Sequence, residues 1–160
     1  MDLERIVNEY GDALLRMCFL YLKDHAMAED AVQETFLRAF RHQDDFQGKS
    51  SVKTWITRIA INVCKDMLTD PWARHRSGED LPDEATPEPS FSSEDRYVIS
   101  GKIAKLPPKY KEVILLHYYQ ELKLSEIAEI LGESEATIKT RLKRARDMLR
   151  SELKGVFDDE

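Results

Sequence analysis

All six prolines of this 160-residue chain fall between positions 71 and 108: Pro71, Pro82, Pro87, Pro89, Pro107 and Pro108. Proline lacks the N–H that a helix interior uses, and its ring clashes with the preceding turn. Long helices are therefore confined to either side of that zone. Both flanks carry apolar side chains at spacings of three and four, the mark of a helix with one buried face. Neither shows the strict alternation of a half-buried strand. The expected fold is all-α: two small helical domains, 1–70 and 96–160, joined by a linker over 71–95. That linker is acidic, rich in Pro and Ser and poor in apolar side chains. Such a stretch buries too little surface to offset its ordering entropy, so it reads as a flexible, extended tether.

Charge is distributed unevenly. The chain carries a net charge of −6. Seven acids (Glu79, Asp80, Asp83, Glu84, Glu88, Glu94, Asp95) against Arg96 alone supply that −6 between Gly78 and Tyr97. The remainder is near neutral, with a basic stripe at the C-terminal end, and it is such local fields that select partners. With 42% hydrophobic and 34% charged residues, a soluble globular protein is expected. No apolar run approaches the ~20 residues that cross a bilayer, so it is not expected to be a membrane protein. The Met1-Asp2-Leu3-Glu4 start lacks the basic and apolar segments of a secretory signal. Cys18 and Cys64 are far apart and the four histidines are scattered, so no zinc-ligand spacing exists. The cysteines read as core residues in a reducing cytoplasm. The six glycines are isolated, so no phosphate-cradling loop is present. No metal, cofactor or catalytic centre is expected, and His117 reads as structural. The chain reads as something other than an enzyme.

The most informative segment is LKLSEIAEILGESEATIKTRLKRARDMLR, residues 122–150. Leu124, Ile127, Ala128 and Leu131 form one apolar stripe, with Ser125 in the expected N-cap position. Gly132 suits the left-handed end of that helix, and Ser134 the cap of the next. Ile138, Leu142, Ala145 and Leu149 then form a second stripe. This is the pattern of a helix-turn-helix, whose second helix enters the DNA major groove. At about 100° per residue, Ala136, Thr137, Thr140, Lys143, Arg144 and Asp147 face outward, with Lys139, Arg141 and Arg146 at the flanks. From Ile138 to Lys154 there are seven basic residues against two acids. Lys and Arg suit phosphates and guanine edges, and Thr suits a base or a thymine methyl.

The N-terminal half predicts three helices. The first buries Leu3, Ile6, Val7, Tyr10, Leu14, Met17 and Tyr21. The second, about 26–41, turns Ala28, Val32, Phe36, Ala39 and Phe40 inward. Its opposite face carries Asp30, Gln33, Glu34, Leu37 and Arg41, a polar stripe around one exposed leucine that suits a partner. The third begins after Ser50 or Ser51 and buries Val52, Ile56, Ile59, Val63 and Met67. Lys53, Thr54, Thr57, Arg58, Ile61, Asn62 and Lys65 are expected outside. Ahead of it lies the polar loop Phe46-Gln47-Gly48-Lys49-Ser50-Ser51, and Trp55 sits at the stripe's edge. An aromatic beside Lys, Arg and Asn suits an unstacked base, although without further context the core reading of Phe46 and Trp55 is the favoured one.

Three stretches together, AEDAVQETFLRAF (28–40), FQGKSSVKTWITRIAINVCKDML (46–68) and LPPKYKEVILLHYYQELKLSEIAEILGESEATIKTRLKRAR (106–146), resemble bacterial RNA polymerase sigma factors of the extracytoplasmic-function (ECF) group. The resemblance spans both halves in the family's order. It implies that Asp30, Gln33, Glu34 and Leu37 dock on the clamp helices of the polymerase largest subunit. It implies a −10 reader built from Phe46, Lys49, Ser50, Trp55, Arg58, Asn62 and Lys65, with a flipped base in a pocket near Phe46 and Asn62. In the second domain, Ser134, Thr137, Lys139, Thr140, Arg141, Lys143, Arg144 and Arg146 would meet the −35 duplex. Thr57 and Ile61 depart from many relatives, which have aromatic or basic residues there.

The implied partners are core RNA polymerase, promoter DNA and an anti-sigma factor, often membrane-bound. Residue patterns alone also fit a stand-alone helix-turn-helix regulator with a sensing domain. Duplex binding in the absence of polymerase would separate the two.

Overall fold

A computed structural model describes residues 2–70 and 93–152. Every regular element among the described residues is helical. The chain divides into two compact units, Met1–Asp80 and Leu81–Glu160. Most of the expected tether, 71–92, lies outside the described residues, and helix begins at Ser93, just before the expected start of the second domain.

The first unit packs three helices against one another: α1 (Leu3–Leu22), α2 (His25–Arg41) and α3 (Val52–Thr69). Each start is fixed by a short polar side chain accepting a free backbone N–H of the first turn. Asp2 accepts from Arg5 at 3.3 Å, Asp24 from Met27 at 2.9 Å and Ser51 from Thr54 at 3.1 Å. Leu14, Met17, Leu20 and Leu22 of α1 meet Met27, Ala28 and Ala31 of α2 and Ile56, Ile61 and Val63 of α3 in the core.

Three facings differ from the periodicity. Val7 is exposed, because α1 turns Ile6 inward there. On α2 the buried stripe is Met27, Ala28, Ala31, Thr35 and Ala39, which leaves Val32 and Phe36 half-buried and Phe40 60% exposed. Small residues along that stripe let α2 lie close to its neighbours, and Thr35 satisfies its hydroxyl on the Ala31 carbonyl at 2.7 Å. On α3, Thr54, Thr57 and Ile61 are buried where they were expected outside. α3 touches both α1 and α2, so two neighbours cover a wider arc than one stripe.

The second unit holds α4 (Ser93–Ala104), α5 (Pro108–Ile114), a π turn (Leu115–Tyr119), α6 (Leu124–Leu131) and α7 (Glu135–Glu152). α6 starts two residues earlier than Ser125 as a cap would place it. Lys123 precedes the helix, and Glu126 accepts the Lys123 N–H at 3.0 Å, so Ser125 lies in the first turn. Gly132 ends α6 at φ 68°, ψ 35°, the left-handed conformation expected of it. Ser134 then accepts the Thr137 N–H at 3.1 Å. Ile127, Ala128 and Ile130 of α6 and Ile138, Leu142, Ala145 and Leu149 of α7 are buried.

Candidate nucleic-acid interface

The outward face of α7 follows from its buried stripe. With Ile138, Leu142, Ala145 and Leu149 inside, Ala136, Lys139, Thr140, Lys143, Arg144 and Asp147 are exposed. Thr137, Arg141 and Arg146 are half-buried at the edges. Neighbours hold several of these groups. Ser134 and Thr137 share a hydroxyl–hydroxyl bond of 3.0 Å at the cap. Lys143 lies 3.4 Å from Asp147, which Arg150 approaches from the other side at 3.7 Å. Arg141 donates to Glu133 in the turn at 3.1 Å. Arg146 donates to the Tyr118 hydroxyl at 3.2 Å, joining α7 to the π turn. In that turn His117 Nδ1 lies 3.1 Å from the Leu122 carbonyl, and its ring meets Tyr118 edge-on.

An open groove runs beside this face, lined by Lys109 and Tyr110 of α5 and by Ala136, Thr137, Thr140, Arg141 and Arg144 of α7. Lys109 lies 5.1 Å over the Tyr110 ring. Neither residue stood out in the sequence, where a Lys-Tyr pair after two prolines has no distinguishing pattern.

In the first unit, Arg58, Asn62 and Lys65 share the outer side of α3 at spacings of four and three, with Asn62 exposed and the two cations half-buried. Phe46 lies 5.1 Å from Trp55, ring centroid to centroid, at an interplanar angle of 42°, and both rings are half-buried. The loop between them turns at Gly48 (φ 71°), leaving Lys49 exposed and Ser50 half-buried. The structure thus brings one aromatic pair to the start of α3 and a polar row to its outer side.

On α2, Asp30, Gln33 and Leu37 are exposed. Glu34 is half-buried and lies 3.4 Å from Arg38, which also reaches Asp66 of α3 at 3.1 Å. Leu37 and Phe40 form an apolar exposure one turn apart, at 52% and 60%. Phe40 was missed because its side of α2 reads as apolar. The run of small residues Ala28, Ala31, Thr35 and Ala39 is the signal that marks the buried side.

A family model for sigma-70 region 2 matches residues 6–74, and one for sigma-70 region 4 matches residues 98–149. The ECF RNA polymerase sigma factor SigW of Bacillus subtilis (strain 168) is 36% identical over 165 residues, covering 94% of this chain and 88% of the relative. The chain belongs to the ECF group of RNA polymerase sigma factors. SigM of the same organism, another ECF sigma factor, is 30% identical over 168 residues and covers both chains completely. Among solved structures, the sigma factor RpoE, in a co-crystal with the anti-sigma factor NepR from Bartonella quintana, has a TM-score of 0.75. It is 26% identical, covering 96% of this chain and 99% of that one. As a sigma factor of this group, the chain has its aromatic pair and α3 row in region 2 and its helix-turn-helix in region 4. Among the described residues no helix is long and apolar enough to cross a membrane.

Proposed function

We propose that this sigma factor acts in the bacterial cytoplasm as a non-enzymatic subunit that docks on core RNA polymerase and confers promoter choice. The observation that carries the reading is that two separate units each present a nucleic-acid-compatible face, one of duplex-reading and one of base-stacking character. α7 reads the −35 duplex through Lys139, Thr140, Lys143 and Arg144, with Thr137 and Ser134 at its start and Arg141 and Arg146 along the edge. In the first unit Asn62, Arg58, Lys65, Lys49 and Ser50, with Phe46 and Trp55, capture unstacked −10 bases. Unstacking costs a few kcal/mol, which stacking and edge contacts offset. Asp30, Gln33, Glu34 and Leu37, extended by Phe40, form the surface for the polymerase clamp helices. The domain scheme is region 2 over 1–70, a tether over 71–95 and region 4 over 96–160.

An anti-sigma factor is the expected inhibitor, since RpoE of similar fold was crystallised with one. Each unit is small, so affinity for promoter DNA alone should be poor, and holding both on polymerase makes a two-part site readable. The test mixes the purified chain with bacterial core polymerase and genomic DNA and maps transcript 5′ ends. New starts sharing paired upstream elements are expected, with little retardation of the same DNA by the chain alone. Strong retardation without polymerase, and unchanged starts with it, would reject the proposal in favour of a self-sufficient regulator.

A further inference from the structure

The turn of the helix-turn-helix carries an acid on a face expected to meet a polyanion. Glu133 directly follows Gly132, and its carboxylate accepts from Arg141 Nη2 at 3.1 Å. The pair spans eight residues, from the turn to the middle of α7, so it is not a contact that helix periodicity supplies. It also leaves Arg141 22% exposed, against 75% for the Lys143 side chain on the open face. A guanidinium has five N–H donors in a planar fork. Glu133 engages one edge, and Arg141 still lines the groove shared with Lys109, Thr140 and Arg144.

We propose that Glu133 is a positioning residue for phosphate recognition: it holds the Arg141 guanidinium at the groove, where Arg141 of α7 and Lys109 of α5 grip one phosphodiester run flanking the bases read by α7. The inference rests on the −35 reading of α7 given above. Its physical basis is preorganisation. A free arginine loses rotamer freedom when it settles on a phosphate. One already fixed by an ion pair loses less, and the fork offers a phosphate its remaining donors. The acid therefore aids binding of an anion even though its own charge opposes it.

The test uses the full chain assembled with core polymerase, on a promoter fragment identified by the 5′-end mapping above, over a range of salt concentrations. Arg141→Ala and Lys109→Ala are each expected to weaken holoenzyme binding about 3- to 10-fold and to lower the salt slope by about one. Glu133→Ala should weaken binding by a similar factor, and Glu133→Gln, which keeps an acceptor for the guanidinium, should restore most of it. The double variant Glu133→Ala/Arg141→Ala should bind no worse than Arg141→Ala. Tighter binding by Glu133→Ala would overturn the proposal, since the acid would then act only by repulsion. Fully multiplicative losses in the double variant would overturn it too, as would an unaltered salt slope in Lys109→Ala or Arg141→Ala. If the unaltered holoenzyme makes no use of an upstream duplex element, the −35 reading itself fails, a result distinct from any of these.

Discussion

Thr57 is the one core side chain of α3 whose chemistry is at odds with its place. It is fully buried, and its hydroxyl has no hydrogen-bond partner. A buried hydroxyl without a partner forfeits its hydration at a cost of about 1–3 kcal/mol. Valine has nearly the same shape without that demand. Thr57→Val should therefore stabilise the first unit by about 1 kcal/mol, read as a rise of about 4–8 °C in melting midpoint for a domain of this size. An unchanged or lower midpoint would mean that the hydroxyl finds an acceptor, such as a carbonyl of the preceding turn. Asn62, one turn further on, illustrates the opposite case. It is exposed, so its amide can be solvated without a burden on the core.

The hinge between α6 and α7 shows how an element boundary can be specified by backbone alone. A Cβ built on Gly132 would meet nothing within 4 Å, so space is not what requires glycine there. The requirement is φ 68°, a conformation that costs an ordinary side chain about 1–2 kcal/mol. Gly132→Ala should destabilise the second unit by that amount, and Gly132→Asn by less, since asparagine tolerates the left-handed region. Equal melting midpoints for glycine and alanine would show that the hinge relaxes instead. Features of this local kind were legible in the sequence: Gly132, the Ser51 and Ser134 caps and the α7 stripe all depend on neighbours within four residues. What the sequence did not disclose depends on packing between elements. Helix periodicity gives α3 one buried stripe, but two neighbouring helices bury Thr54, Thr57 and Ile61 as well. On α2 an apolar count favoured Phe40, whereas close approach favours alanines. The π turn over Leu115–Tyr119 adds a residue to a turn and shifts the helical phase, and no residue type announces it. Of the candidate site, the outward face of α7 was legible because it is the complement of a local stripe. The groove with Lys109 was not, because α5 and α7 meet only in the folded unit.

A sigma factor divided into two units must separate the question of whether it is on polymerase from the question of which DNA is read. Leu37 and Phe40 are more than half exposed, so truncating them should leave the fold intact. If they anchor the clamp-helix contact, Leu37→Ala/Phe40→Ala should lower core affinity about tenfold or more, in the range found for apolar interface anchors. At limiting sigma factor, transcription would then fall by the same factor at every promoter, and excess sigma factor would restore it. Arg144→Ala acts on the other question. Losing a base contact costs about 1–3 kcal/mol only where that base is present. Its effect should vary among promoters and persist at saturating sigma factor. Combined, the two changes should multiply, since they lie on different units with different partners. Competition transcription on two promoters of different upstream sequence, run across a sigma-factor titration, measures all three quantities at once. A promoter ratio that shifts in Leu37→Ala/Phe40→Ala at saturation would show that the α2 surface also takes part in reading DNA, and the division of labour between the units would have to be abandoned.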